Sequence, residues 1–552
     1  MQWLEASADE VMWRQVFIAG AAVVLLLVTC TPWAHAVASR VSHATRSRLR
    51  AVLTVVLTAL VIFGGTTYFY SSRHANFLHK WDLFHTLTTV RFFDELQYTR
   101  LYECALVVDA TESGHFNRIH RLRNLRTLRH ERRARLLLNS DCEFRFTPER
   151  RAAFVRDLEW WWKVRPSSRR WASLFRDKGY NGTPFYSAVV DAMVGDGPLD
   201  MDRLARLARL DVAMVCLALL FVAYAYGPFP AAFAALYFFV NFPARFVHMG
   251  GSILRFDYVA YLMVGVSLLQ LKRYGWAGAL FALSTMSRGF PVMFAGALGI
   301  KAALDTIENR GVAPRYLWFF GTFSVTALAC FAFSLSFAGL RGWEGFIDNI
   351  HTHTSISASF RVGFAHMFML DGNLTGSDGF VGYFGKASHL SDRKPLYWAG
   401  VVVLLLPMGW IARRMRDVAV TTLLGLLMVF TLVVATRYYY AVFVLFFLAG
   451  YDLRRDGAYL VASVLAFVVS IVGYLLQLNH GYAPFVYNTA YTSMLLCLFV
   501  FTMAALAVHH GLLPWQRRRG AARMPGSSST RGGRQRNPSG GAQGKPAGAE
   551  GE

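Results

Sequence analysis

Apolar residues fall in long runs broken by short, Arg-rich polar stretches, and most runs approach the length a helix needs to cross a bilayer. A hydrocarbon core of ~30 Å takes ~20 apolar residues, fewer where a helix sits inside a bundle. On that measure the chain has about thirteen spans. They run at 16–36 and 51–70 and then, after a long polar stretch, at 211–226, 229–243, 257–271, 274–287, 290–304, 316–338, 397–411, 418–436, 438–450, 457–477 and 489–511. The first run is too long, and too weakly basic at its start, for a cleaved signal peptide.

The pattern predicts an all-α fold, a polytopic transmembrane helical bundle with a large extracytoplasmic helical loop. Its parts are two N-terminal helices (1–70), a loop domain with amphipathic helices (71–209), a transmembrane core (210–340), a second outer loop (341–396), C-terminal helices (397–512) and a disordered basic tail (513–552).

Composition agrees. Of 552 residues, 55% are apolar and only 16% charged, against about a quarter charged in soluble domains. The net charge is +23, from 57 Lys and Arg against 34 Asp and Glu. In a membrane protein that excess belongs to cytoplasmic loops and anionic lipid rather than to nucleic acid. Only eight of the basic residues are Lys, a skew that fits a GC-rich bacterial genome.

Basic residues in short loops set orientation. Arg40, Arg46, Arg48 and Arg50, then Lys272 and Arg273, then Arg413, Arg414 and Arg416, then Arg454 and Arg455, and lastly Arg517, Arg518 and Arg519 all fall on one side when spans alternate. Glu5, Asp9 and Glu10 make the N-terminus acidic. The expected topology is N-terminus outside and C-terminus cytoplasmic, in a bacterial plasma (inner) membrane. The 71–209 loop carries 25 Lys/Arg against 17 Asp/Glu, but long loops translocate largely regardless of charge.

Six cysteines show no zinc-type spacing. Cys30, Cys216, Cys330 and Cys497 lie in apolar runs, whereas Cys104 and Cys142 share the long loop and can pair if it faces an oxidising compartment. Within 118–178, many Arg accompany Trp160, Trp161, Trp162 and Trp171. This reads either as helices lying on the outer leaflet or as a folded cap with Arg on its wet face.

The candidate chemistry lies on the outer side. Asp82 follows the second span among aromatics, and Thr86 to Tyr102 repeats apolar positions (Val90, Phe93, Leu96, Leu101) as a helix along the interface would. Tyr98, Leu101 and Tyr102 close that stretch. Further on stand Gly250-Gly251-Ser252-Ile253-Leu254-Arg255-Phe256-Asp257, then Ala277-Gly278-Ala279-Leu280, then Met286-Ser287-Arg288-Gly289-Phe290-Pro291. These elements resemble the GT-C superfamily of polytopic glycosyltransferases and are similar to the polyprenyl-phosphate-mannose-dependent mannosyltransferases. The likeness spans roughly 51–110 and 210–305. An additional N-terminal helix, an Arg rather than a Lys before Phe-Pro, and the 110–209 insertion depart from that pattern.

The resemblance implies transfer of a hexose, mannose in the family it resembles, from a polyprenyl-phosphate donor to a glycolipid or polysaccharide acceptor, with inversion. Such a reaction needs a carboxylate base for the acceptor hydroxyl and preorganised cations for the leaving phosphate. Asp82 is the expected base and Asp94 the second choice; Asp94 and Glu95, being sequence neighbours, point to different helix faces and are expected at the surface. Arg288 and Arg255 are the expected phosphate ligands, with His248 and Arg437 as further candidates. Arg255 and Asp257 can also form a structural ion pair, and Tyr438, Tyr439 and Tyr440 an interfacial belt.

His351 and His353 alternate without a third metal ligand. No cofactor is required, and a divalent metal is not indicated. No phosphate-binding Gly-rich loop supports an ATP-driven pump. A secondary transporter or lipid flippase, and a non-enzymatic membrane assembly protein, are the alternatives.

Overall fold

The computed structural model describes residues 7–31, 40, 42–73, 77–138, 140–355, 360–368, 390, 393–450, 456–480 and 484–510. The tail, Glu5, Arg454 and Arg455, and most of 369–392 lie outside the described residues. Apolar runs leave the backbone no partner but itself in lipid, so they form helices. Seven are long and apolar enough to cross a membrane: α1 (Ala8–Cys30), α2 (His43–Tyr68), α8 (Met201–Tyr226), α13 (Pro314–Ser355), α14 (Lys394–Arg414), α16 (Gly457–His480) and α17 (Pro484–His509). Several turn apolar side chains outward. Val52, Val55 and Ile62 on α2 are exposed, as are Trp318, Val325 and Leu328 on α13. Aqueous surfaces rarely carry such a belt, and lipid requires one. The chain is an all-α, multi-pass membrane protein.

The other expected spans are shorter. They are α9 (Pro228–Val240), α10 (Asp257–Gln270), α11 (Tyr274–Arg288), α12 (Val292–Asn309), α15 (Val418–Leu432) and a segment that starts as a 3₁₀ turn, Arg437–Val444, and ends as helix, Leu445–Ala449. A helix of α10's length covers only ~21 Å. Ten of its fourteen residues are buried, so it packs inside the bundle, between α8 and α11. At Gly278 of α11 an added Cβ would lie 2.1 Å from the Phe319 carbonyl oxygen of α13, so the glycine permits the close approach of those two helices.

Two boundaries differ from expectation. α13 continues past 340, bending at Gly339 (φ 60°), so the second outer loop opens as helix to Ser355. α8 starts at Met201 rather than 211, because Asp200 caps it, accepting from the Arg203 N–H at 2.7 Å.

Between α2 and α8 lies a folded cap. It contains α3 (Lys80–Arg91), α4 (Leu101–Glu112), an antiparallel pair β1 (Arg121–Arg123) and β2 (His130–Arg132), α5 (Pro148–Val164), α6 (Ser168–Leu174) and α7 (Pro184–Val194). The interfacial helix expected over 86–102 is not there. Instead α3 ends at Arg91, a turn at Phe93–Leu96 follows, and every residue from Leu83 to Val90 is buried. α3 packs against other cap helices, and its first turns line the cavity described below.

Two of the four tryptophans build a core, and Trp160 and Trp162 are half-buried. Trp161 and Trp171 are buried around Phe84, whose ring centroid is 4.9 Å from that of Trp171 and 5.8 Å from that of Trp161. Cys104 and Cys142 form a disulfide that joins α4 to the following loop. Glu95 is not a surface residue: it is buried and accepts two bonds, at 2.6 and 2.9 Å, from the Arg150 guanidinium. A second strand pair, β3 (Arg361–Val362) with β4 (Ala435–Thr436), sets Arg361 opposite Thr436.

Candidate functional site

A cavity of about 1740 Å³ lies between the cap and the ends of the bundle helices. Its walls come from 78–86, 164–186, 248–255, 287–293, 346–361 and 432–439, among other segments. All of these are segments that alternating spans assign to one side of the membrane. At the opposite helix ends Arg413 approaches Glu308 at 3.7 Å and His509 approaches Asp456 at 2.8 Å.

Asp82 sits in the first turn of α3, where His79 caps the helix, its Nδ1 accepting from the Asp82 N–H at 3.1 Å. The preceding backbone is pinned to the Gly250-Gly251 turn: the His79 N–H donates to the Gly251 carbonyl at 2.7 Å. Gly251 has φ +81°, and an added Cβ would fall 2.3 Å from the Phe77 carbonyl oxygen. Only glycine allows that contact. The contact brings Ser252 and Arg255 to the carboxylate.

The Ser252 hydroxyl donates to Asp82 Oδ2 at 2.6 Å, and Arg255 Nη1 lies 3.3 Å from Oδ1. Burial pushes the Asp82 carboxyl up, but Arg255, His79 and the Ser252 hydroxyl outweigh it and hold the group below its ordinary value. Asp82 is therefore ionised at neutral pH, with its side chain 21% exposed to the cavity. Arg255 is fixed in turn by Asp211, which accepts the backbone N–H groups of Arg255 and Phe256 at 2.9 and 3.0 Å.

Arg255 and Asp257 do not pair with each other. The pairs are crossed, Arg255 with Asp82 and Arg288 with Asp257 at 3.8 Å, because the chain turns into α10 between them and sends the two side chains apart. Arg288 also donates to the Leu254 carbonyl at 2.5 Å and stacks 3.9 Å from the centroid of the Tyr186 ring. Leu254 holds φ +50°, a strained geometry for a branched residue, and the Arg288 bond to its carbonyl helps hold it.

Arg437 and His248 come together from distant parts of the chain. Arg437 Nη2 lies 2.7 Å from His248 Nε2, and Arg245 Nη2 lies 2.8 Å from the same nitrogen. Arg437 also donates to the Tyr487 hydroxyl at 3.0 Å, and Arg245 to Gln477 Oε1 at 2.6 Å. Among the described residues no carboxylate pairs with either guanidinium. Burial and the two cations push the His248 imidazole well below its ordinary value, so it is neutral and accepts.

The remaining candidates fall elsewhere. Asp94 is exposed beside a separate, smaller cleft with Arg150 and Asp191, away from the cavity, so it is no second base. Tyr438 and Tyr439 line the cavity and Tyr440 is buried, so these three form no interfacial belt. The Arg255 guanidinium lies 5.0 Å from the Tyr438 ring centroid. His351 and His353 stand two apart on α13 and diverge: His351 is exposed, while both His353 nitrogens face carbonyls, of Asn349 at 2.8 Å and Lys178 at 3.1 Å. Glu103, Asp141 and Cys142 cluster like metal ligands, but the Cys142 sulfur is held in the disulfide.

Several positioning groups escaped the sequence reading. Asp211 carried a signal, an acid at the head of an apolar run. His79, Tyr186 and Arg245 carried none, since tertiary contact alone gives them their place. Comparison with protein-family models, with curated proteins and with solved structures finds no match for this chain.

Proposed function

We propose that the protein is a GT-C-type glycosyltransferase that moves a hexose from a polyprenyl-phosphate donor to an acceptor hydroxyl. The observation that carries this reading is one ionised carboxylate, Asp82, facing a large cavity whose lining also holds Arg437 and His248. The acceptor oxygen attacks the anomeric carbon as the bond to the phosphate oxygen breaks; the acceptor proton goes to Asp82 and the electron pair leaves with the lipid phosphate. A carboxylate held below its ordinary value is a weak base, which suits a proton that becomes acidic only as the new bond forms. The leaving phosphate is met by Arg437 with neutral His248 at its side, while Arg288, matched by Asp257, holds the wall in place.

The cavity then faces outward in a bacterial plasma membrane, with the N-terminus outside and the shorter helices completing about thirteen passes. The Cys104–Cys142 disulfide supports an oxidising compartment for the cap.

Purified protein is given radiolabelled polyprenyl-phosphate mannose or glucose together with lipid extract of the host, with Asp82→Asn in parallel. Label transfer by the wild type alone is the expected result. No transfer from either donor, with neither bound more tightly than a control lipid, would favour the transporter or flippase instead.

A further inference from the structure

The cavity lining holds ten Lys or Arg side chains against two Asp, more positive charge than one donor phosphate requires. Part of it is committed elsewhere: Arg255 and Arg288 face acids, and Arg123 and Arg361 donate to backbone carbonyls. A separate group stands on the cap wall. Trp81 directly precedes Asp82 in the first turn of α3, and the Arg165 guanidinium lies over its ring, 5.4 Å from the centroid. The Trp81 indole N–H donates to Asp177 Oδ2 at 2.5 Å, which fixes the ring plane.

Lys80 and Arg170 line the same wall. Lys80 Nζ reaches the Val164 carbonyl only at 3.5 Å, and Arg165 Nε is buried without a hydrogen-bond partner. Among the described residues no carboxylate lies within ion-pair distance of Lys80, Arg165 or Arg170. Burial and the neighbouring Arg170 cation both push the Arg165 guanidinium below its ordinary value, as uncompensated like charge does. Three cations beside a fixed indole face form a receptor for an anionic head group that also carries a sugar or polyol, the ring stacking on Trp81 and the phosphodiester meeting the cations.

Resting on the transferase reading above, we infer that Lys80, Trp81, Arg165 and Arg170 form a second anion subsite, and that the acceptor is therefore an anionic, phosphodiester-bearing lipid rather than a neutral glycolipid. Adjacency of Trp81 and Asp82 along α3 puts a hydroxyl of that head group beside the base.

The test is a binding measurement that needs neither donor nor turnover. The full-length protein in phosphatidylcholine nanodiscs is titrated with phosphatidylglycerol and with uncharged diglucosyl diacylglycerol. The wild type should prefer phosphatidylglycerol at least tenfold, and Arg165→Gln/Arg170→Gln should erase that preference. Arg121→Gln/Arg132→Gln, an exposed cross-strand pair on β1 and β2 outside the cavity, removes the same charge and should change it less than twofold. An equal loss in the control would overturn the subsite as general surface electrostatics. Should the double variant melt early, exposed Arg170→Gln alone should still weaken binding at least threefold, and an unchanged affinity would overturn the proposal. Soluble glycerophosphoglycerol should compete with the lipid, and inorganic phosphate competing equally well would assign the site to a free anion and overturn the lipid. Asp82→Asn should lose transfer yet keep the preference for phosphatidylglycerol over the uncharged lipid, so a failure of the transferase reading stays distinguishable from a failure of this one.

Discussion

Arg288 and Arg437 line the same cavity, but they are held in opposite ways. Arg288 faces the buried Asp257 and donates to a backbone carbonyl, so its charge is neutralised and its geometry fixed by the fold. Arg437 faces a neutral imidazole, a phenol and a second guanidinium, with no acid beside it among the described residues. A cation already matched by a carboxylate has less to offer an incoming phosphate than one whose charge is open. The difference suggests a division of labour, in which the Arg288 region keeps the wall rigid and the Arg437 region answers the ligand.

The largest expected effect concerns neither arginine but Asp82, the proposed base in the same cavity. Asp82→Asn should lower transfer at least ~100-fold, the scale of general-base catalysis, with a smaller fall in melting temperature than Arg288→Met because its pair with Arg255 is less buried; a variant retaining a tenth of the activity would remove Asp82 from the mechanism. Next, Arg288→Met should act on the fold, because it leaves Asp257 buried and unpaired at a cost of about 3–5 kcal/mol. A large fall in thermal stability is expected, and a stable Arg288→Met protein with raised donor KM would reverse the division of labour.

Loss of the disulfide in Cys104→Ser/Cys142→Ser should destabilise the cap by roughly 2–4 kcal/mol, detected as faster proteolysis within 77–200 than in the bundle. Arg437→Gln should lower kcat/KM for the donor about tenfold, as the loss of one charge-assisted hydrogen bond does, with kcat falling because the charge it meets grows as the phosphate leaves. The smallest effect is that of pH. Asp82 is ionised above its pKa, which lies below the ordinary carboxylate range, and His248 stays neutral because its own is lowered. The transfer rate should thus be flat from pH 8 to pH 5, and a tenfold fall by pH 5 would show a different group to be the base.

How far the site could be read from the chain depended on the kind of residue. Asp82, Arg255 and Arg288 stood out as charges near span ends, and the fold brings all three to the cavity. Asp94, the second choice, was expected at the surface and lies there, beside a separate cleft. The cap was misread where periodicity was used: positions at three and four residues between 86 and 102 suggested one wet face, but the whole run from Leu83 to Val90 is buried. For the tryptophans the sequence left two readings open, and the burial of Trp161 and Trp171 fits the folded cap.

By itself the sequence determined the membrane class and the approximate helix positions, because hydrophobic length is a local property that the bilayer reads directly. The tertiary structure decided which charges are matched. Whether Arg255 meets Asp257 or Asp82, and whether Arg437 meets an acid or His248, depends on contacts between segments as much as 189 residues apart. Electrostatic pairing acts over a few ångströms of space whatever the separation along the chain.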